Sequence, residues 1–135
     1  MKRNLLILFL LIGYTSFAQN DYKVVFDISS KDSVNQQAVL REVDIIKNSS
    51  PQAQLEVVIY GQALSFVLKD RSAYPEAIEK LLAMKDVSFK VCAITMKRNN
   101  VDASQLLPGV QVVPDGIYEI YSKQKDGWGY IKVAH

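Results

Sequence analysis

The only cysteine in the chain, Cys92, is the residue with the most distinctive chemistry. A cysteine reacts as its thiolate, and nearby positive charge or a helix N-terminus favours that form. Lys97 and Arg98 follow a few residues later, and the sequence predicts a helical turn soon after them. Both features would lower the pKa of the thiol if the loop folds back towards it. Cys92 is therefore a candidate nucleophile.

The same stretch of sequence also fits a cysteine with a purely structural role. Val91, Ala93 and Ile94 are apolar, and free cysteine is among the most buried residue types, where it packs as a small hydrophobe. A lone cysteine has no partner for an internal disulfide, so the fold must be stabilised by its core. Two interpretations of Cys92 stay open at this point, a reactive thiol and a core residue.

Few other residues offer catalytic or ligand-binding chemistry. The single histidine, His135, is the last residue, and one histidine with one cysteine does not make a metal site of three or four protein ligands. Ser29 and Ser30 have no histidine partner, which argues against a serine hydrolase. Gly61 does not begin a phosphate-binding loop, because the Lys-Ser/Thr pair that ends such a loop is absent. No metal and no cofactor is predicted.

Short β-rich segments alternate with helical patterns along the chain, which is typical of an α/β protein. The predicted strands cover residues 22–28, 55–60, 87–96, 110–113 and 130–133, and helical patterns at 34–46, 63–68, 75–82, 102–107 and 116–123 lie between them. Strands separated by helices pair in parallel through right-handed crossovers. We therefore predict an α/β three-layer sandwich with a mostly parallel five-stranded sheet in the order 2-1-3-4-5, which is common in doubly wound domains.

The predicted topology would place Cys92 at a cleft. Ligands of open parallel sheets bind beyond the carboxyl ends of the strands, where the winding reverses. In the order 2-1-3-4-5 that place lies between the first and third strands, and Cys92 is near the end of the third. The residues predicted to neighbour Cys92 in this cleft are Asp27, Ser29, Ser30, Tyr60, Gly61, Lys97 and Arg98.

The first 18 residues have the composition of a secretory signal peptide. Lys2 and Arg3 precede an apolar run over residues 5–12, and Ser16 and Ala18 stand at the −3 and −1 positions of a cleavage site. We expect an exported, periplasmic protein with one domain at residues 19–135. Of the 16 basic residues, Lys2 and Arg3 would be removed, leaving 14 against 14 acidic residues. This balance gives no electrostatic reason to expect binding to nucleic acid or to a membrane surface.

Residues 87–102 resemble the cysteine segment of the DsrE/DsrF-like sulfur-relay family, in which a cysteine late in the third strand precedes a basic turn. Residues 56–61 resemble that family's second strand and glycine, and residues 107–113 its next turn and strand. The resemblance implies a flavodoxin-like α/β fold and assembly into homo-oligomers, either trimers or hexamers. In the sulfur-relay members the matching cysteine accepts a sulfane sulfur as a persulfide, a role that here would fall on Cys92.

Two functions follow from these observations. In the first, the protein is an exported sulfur carrier or thiol redox protein, and Cys92 exchanges sulfur with a partner protein or a small sulfane species. In the second, the protein is a non-catalytic oligomeric module for assembly or small-ligand binding, and Cys92 belongs to the core. Exposure of the thiol, and the groups around it, would distinguish the two.

Overall fold

The computed structural model describes residues 21–134, which form one parallel sheet with helices on both faces. The signal peptide predicted at residues 1–18 and the terminal His135 lie outside the described residues. Within residues 21–134 no helix has the length and apolar character needed to cross a bilayer. The elements in chain order are β1 Lys23–Ile28, α1 Ser33–Ser49, β2 Gln54–Ile59, α2 Pro75–Leu82, β3 Val87–Cys92, α3 Ala93–Arg98, β4 Gln111–Val113, α4 Gly116–Lys125 and β5 Gly129–Val133, with 3₁₀ helices at Gly61–Val67 and Ala103–Gln105.

The helices begin at residues that either accept hydrogen bonds from the first backbone N–H groups or, like proline, lack an N–H to satisfy. The Asp32 carboxylate accepts the Val34 N–H at 2.8 Å and begins α1. The Asp115 carboxylate accepts the Ile117 N–H at 2.9 Å and begins α4. Pro75 is the first residue of α2, where its missing N–H leaves no unsatisfied donor.

The two faces of the sheet are covered very differently. Alternate strand residues point to one face, here called the α1 face, where α1, α2, the first 3₁₀ helix and Met96 of α3 enclose the main core. Its largest fully buried side chains include Phe26, Phe66 and Phe89. The opposite face, here called the α4 face, is covered by α4, which contacts β1, β2, β3 and β5. Much of the polar chemistry of the strands lies on this thinly covered α4 face.

The predicted fold class is confirmed as a five-stranded parallel α/β sandwich of the flavodoxin-like type, and the strand order β4-β3-β2-β1-β5 corrects the predicted 2-1-3-4-5. The pairs β1–β2 and β3–β4 are as expected, whereas β2 lies between β1 and β3, and β5 pairs with β1. The reason is burial. Five of the six β2 residues are buried, which suits a central strand enclosed on both faces, and β4 has only three residues, which suits an edge.

The corrected order moves the topological switch point from β1/β3 to β3/β4. The chain steps in one direction from β1 to β4, so α1, α2 and α3 leave their strands towards the α1 face. The connection from β4 to β5 returns across the sheet, and α4 therefore leaves β4 towards the opposite face. Helices diverge beyond the carboxyl ends of β3 and β4, which is where open sheets of this kind form binding crevices.

The segment after Cys92 is helical and not extended as predicted. The sequence predicts a strand through Met96 and a loop at residues 97–100, whereas β3 ends at Cys92 and residues 93–98 form α3. A short apolar run fits a buried strand or a buried helix equally well, so periodicity does not separate them. Burial of Met96 on the α1 face decides for the helix.

Candidate functional site

Cys92 lies at the β3/β4 switch point. It is the last residue of β3, it pairs with Val113 of β4, and it precedes the first turn of α3. The start of α4 packs directly against it: a Cβ added to Gly116 would lie 3.1 Å from the Cys92 Cβ and 3.3 Å from the Val58 Cγ1. Both contacts are tighter than a Cβ usually makes, so glycine at position 116 lets α4 approach this closely without displacing its neighbours.

The surroundings of the sulfur are polar, although Cys92 is only 5% exposed. Burial raises the pKa of the Cys92 thiol, but the amide of Gly116, the amide and hydroxyl of Thr95 and the amide of Ile94 lower it, and the net pKa lies below its ordinary value. Cys92 makes no side-chain capping hydrogen bond to α3, so the α3 amides act on the sulfur at longer range. A thiolate would interact with the same donors more strongly than the neutral thiol does.

Thr95 connects the sulfur to the end of β2. The Gly61 N–H donates to the Thr95 Oγ1 at 3.0 Å. A threonine hydroxyl carries one hydrogen, and because the oxygen already accepts from Gly61, that hydrogen is free to point at Cys92. Thr95 is itself buried, so this arrangement is held by packing as well as by hydrogen bonding.

Tyr60 lies beside Cys92 on the neighbouring strand end. Ile59 of β2 pairs with Val91 of β3, which places the next residues, Tyr60 and Cys92, side by side. Both lie against the start of α4, since the same added Cβ on Gly116 would be 3.6 Å from the Tyr60 Cβ. Tyr60 therefore connects the thiol to the polar groups at the ends of β1 and β5.

Those polar groups form a network around the buried carboxylate of Asp27. Tyr130 donates its hydroxyl hydrogen to Asp27 Oδ2 at 2.5 Å, and Lys132 Nζ donates to Asp27 Oδ1 at 3.0 Å. The same Lys132 ammonium donates to the Ser29 Oγ at 3.2 Å and the Tyr60 hydroxyl at 3.4 Å. The hydrogen bond to Asp27, followed by burial, raises the pKa of Tyr130 to about 12.

Of the residues predicted to surround Cys92, some lie near it and others do not. Tyr60 is adjacent, Gly61 reaches the sulfur through Thr95, and Asp27 and Ser29 belong to the network two strands away. Ser30 lies before α1, where its hydroxyl accepts from the Asp32 N–H at 3.0 Å. Lys97 and Arg98 occupy the last turn of α3 and are exposed, so backbone amides replace the basic side chains that the sequence analysis considered.

Two residues of the site, Gly116 and Thr95, were missed by the sequence analysis. Gly116 follows the helix-capping Asp115, and a glycine inside the start of a helix is a sign of close backbone approach. Thr95 stands three residues after Cys92 and could have been found only if α3 had been predicted. Within residues 21–134 no group of three or more His, Cys, Asp or Glu side chains is arranged to hold a metal ion.

Comparison with known proteins identifies relatives of this chain. Residues 21–133 match the DsrE/DsrF-like family. A protein of unknown function from Methanobacterium thermoautotrophicum has a solved structure with 30% sequence identity and a TM-score of 0.78, covering 83% of this chain and 99% of its own. No curated protein matches the chain.

Two more distant structures share the fold. A conserved protein of unknown function from Bacteroides thetaiotaomicron is 16% identical with a TM-score of 0.70, covering 83% of this chain and 95% of its own. The ychN protein of E. coli is 14% identical with a TM-score of 0.66, covering 82% of this chain and 96% of its own.

Proposed function

Because this chain belongs to the DsrE/DsrF-like family, we propose that Cys92 carries a sulfane sulfur as a persulfide and that the protein acts as a sulfur carrier or thiol redox protein. The observation that supports this proposal is the set of amide and hydroxyl donors around the sulfur, which lowers the pKa of the thiol despite its burial. Only the thiolate is nucleophilic, so these donors favour the reactive form.

The proposed step is a thiol–persulfide exchange. The Cys92 thiolate attacks the outer sulfur of a donor persulfide R–S–SH, a new S–S bond forms, and the donor S–S bond breaks. The electron pair of that bond leaves with the donor as R–S⁻, and Cys92 becomes Cys–S–SH. No external oxidant or reductant is needed. The donor, and the later acceptor, is either a partner protein or a small sulfane species.

Mass spectrometry after incubation with inorganic polysulfide tests this step. We expect a mass increase of about 32 Da, one sulfur atom, on the peptide that contains Cys92. The adduct should disappear on treatment with dithiothreitol and should be absent from Cys92→Ser. If the wild-type protein gains no reducible sulfur, or if the adduct persists in Cys92→Ser, the proposal is contradicted.

A second candidate function is supported by the low exposure of Cys92. At 5% exposed, Cys92 is compatible with a role in core packing alone. The protein would then be an oligomeric module that binds a small ligand or assembles without thiol chemistry. The reagent DTNB distinguishes the two. A thiol that reacts with DTNB in the folded protein agrees with the carrier function, and one that reacts only after addition of denaturant agrees with the module.

Homo-oligomers, either trimers or hexamers, are part of this proposal. The support is an exposed apolar surface on the outer side of α4, where Ile117, Tyr118 and Tyr121 are 57%, 65% and 56% exposed. Clusters of exposed large apolar side chains mark sites of association more often than isolated ones do. Tyr118 and Tyr121 also pack on one another, with ring centroids 6.0 Å apart.

Export to the periplasm is likewise a proposal, and it is supported by the charged, apolar and small-residue segments within residues 1–18. Intact mass of the protein purified from a periplasmic extract tests it. A mature chain that begins at Gln19 is expected, whereas a full-length chain recovered from the cytosolic fraction would contradict export.

A further inference from the structure

Four charged side chains lie between α4 and the sheet, beside the thiol site but not in contact with the sulfur. Lys90 Nζ is 2.9 Å from Glu56 Oε2 and 2.9 Å from Glu119 Oε1. Lys123 Nζ is 3.0 Å from the same Glu56 oxygen and 4.4 Å from the centre of the Trp128 ring. Glu56 is 2% exposed, and its Oε1 has no hydrogen-bond partner among the described residues.

This cluster, formed by Glu56, Lys90, Glu119 and Lys123, continues the contact between Cys92 and α4. Along β3, Lys90 stands two residues before Cys92 and therefore points to the same face of the sheet. Along α4, Glu119 stands three residues after Gly116 and lies on the same side of the helix. The Lys90–Glu119 pair is thus the next contact after Cys92–Gly116 along the interface between β3 and α4.

We propose that Glu119 is a positioning residue: by pairing with Lys90, it holds the first turn of α4, and with it the Gly116 amide, against Cys92. This inference rests on the proposed function, because the position of the thiolate affects the activity of the protein only if Cys92 reacts. Glu119 does not touch the sulfur, and its effect passes through α4.

The hydrogen bonds that cap the N-terminus of α4 do not use the Gly116 N–H. The Asp115 carboxylate accepts the N–H groups of Ile117 and Tyr118, at 2.9 and 3.3 Å, which leaves the Gly116 N–H available to the sulfur. Burial raises the pKa of Glu119, but Glu56, Lys90 and Lys123 together hold it below its ordinary value. Glu119 is therefore a carboxylate at neutral pH and attracts Lys90 with its full charge.

A direct charge effect of Glu119 and a positioning role for Glu119 predict opposite signs for the change in the thiol pKa. If Glu119 acted on Cys92 only through space, its removal would take away a negative charge and lower the thiol pKa. If Glu119 holds α4 in place, its removal withdraws the Gly116 amide and raises the thiol pKa. A variant that merely lost stability would unfold at lower denaturant concentration without moving the pKa of the folded protein.

The experiment measures the pH dependence of iodoacetamide alkylation in the full chain, followed by mass spectrometry on the peptide that contains Cys92, the one cysteine of the chain. We expect Glu119→Ala to raise the midpoint of the pH–rate profile by about 0.5–1 pH unit, the size of effect typical of a lost donor to a charged group. Alanine is the best helix former, so α4 should persist. A midpoint that is unchanged or lower would overturn the inference.

Gly116→Ala provides a second route to the same result. Its methyl group would meet the Cys92 Cβ at 3.1 Å and the Val58 Cγ1 at 3.3 Å, which requires a shift of a few tenths of an ångström between α4 and the sheet. Because this shift separates the Gly116 amide from the sulfur, we expect the midpoint to rise as well. Asp44→Ala is the matched control, because it removes the carboxylate of the exposed Lys80–Asp44 pair between α1 and α2 and should leave the midpoint unchanged. Because alkylation needs no sulfur donor, a failure of the positioning role and a failure of persulfide formation are separately visible.

Discussion

At the scale of single residues, Cys92 combines two properties that usually oppose one another. Burial of a thiol disfavours its charged form, and a buried cysteine is ordinarily inert. Here the surrounding groups are hydrogen-bond donors from Gly116, Thr95 and Ile94, and they more than offset burial in their effect on the pKa. The consequence is a thiol that is shielded from bulk water and still inclined to ionise.

Thr95 should control the ionisation of Cys92. We expect Thr95→Val to raise the pKa of the thiol, because it removes a hydroxyl donor while keeping the shape of the side chain. The change also leaves the Gly61 N–H without its partner, which should lower the free energy of unfolding by about 1–3 kcal/mol. Iodoacetamide pH–rate profiles and urea denaturation measure the two effects.

Thr95→Ser is the control for this prediction, because serine keeps the hydroxyl at the same place. Its thiol pKa should match that of the wild-type protein. If Thr95→Val and Thr95→Ser titrate alike, the hydroxyl has no influence on Cys92, and the backbone amides alone lower its pKa.

At the scale of secondary-structure elements, the α4 face depends on few contacts. α4 is the helix that covers it, and β5 is an edge strand most of whose residues are exposed. The pairing of β5 with β1 is reinforced by Lys132, which lies opposite Asp27 in the register, and by Tyr130, which donates to the same carboxylate. Opposite charges paired across strands stabilise the register of a sheet.

The Tyr130–Asp27 hydrogen bond should make the free energy of unfolding depend on pH in the alkaline range. The pKa of Tyr130 is raised from 10.0 to about 12, so the folded state keeps this proton where the unfolded state has lost it. The corresponding stabilisation is complete below pH 10 and is lost as the pH rises through 12. Urea denaturation of Tyr130→Phe between these pH values should show a smaller loss of stability with pH than the wild-type protein.

Tyr22→Phe is the control for this measurement, since Tyr22 is exposed and lies just before β1, away from the outer side of α4. Its stability should decline with pH as steeply as that of the wild-type protein. If the free energy of unfolding of Tyr130→Phe falls with pH as steeply as that of the wild-type protein, Tyr130 does not hold its proton more tightly in the folded state.

At the scale of the whole molecule, the apolar outer side of α4 is the feature that a single chain leaves unexplained. α4 covers the sheet through Ile120, which is buried, while Ile117, Tyr118 and Tyr121 face away from it. A second copy of the chain would remove these side chains from water.

Association through α4 is tested by a charge placed on its outer side. We expect Tyr121→Glu to shift the purified protein towards the monomer in size-exclusion chromatography with light scattering, because a carboxylate in an apolar contact is costly to desolvate. Gln37→Glu, at an exposed position of α1, should leave the mass unchanged. A Tyr121→Glu protein with the same mass as the wild-type protein would contradict association through α4.

Much of this molecule could be predicted from local patterns. The alternation of β-rich and helical segments predicts the α/β class, and Asp32, Pro75 and Gly61 mark boundaries close to those observed. Cys92 could be placed within the third strand in the same way, although the predicted strand ran on to Met96. Hydrophobic periodicity, helix caps and turns depend on residues close together in the chain, so each can be predicted from a single segment of the sequence.

What required the tertiary structure is the set of partners that each segment meets. The central place of β2 depends on which strands pair with it on either side, and a run of apolar residues does not indicate which strands those are. The environment of Cys92 is decided in the same way, because the Gly116 and Thr95 groups that lower its pKa reach it only when α3 and α4 diverge beyond β3 and β4. The residue types were present in the sequence, whereas their approach to one another is a product of packing between elements distant along the chain.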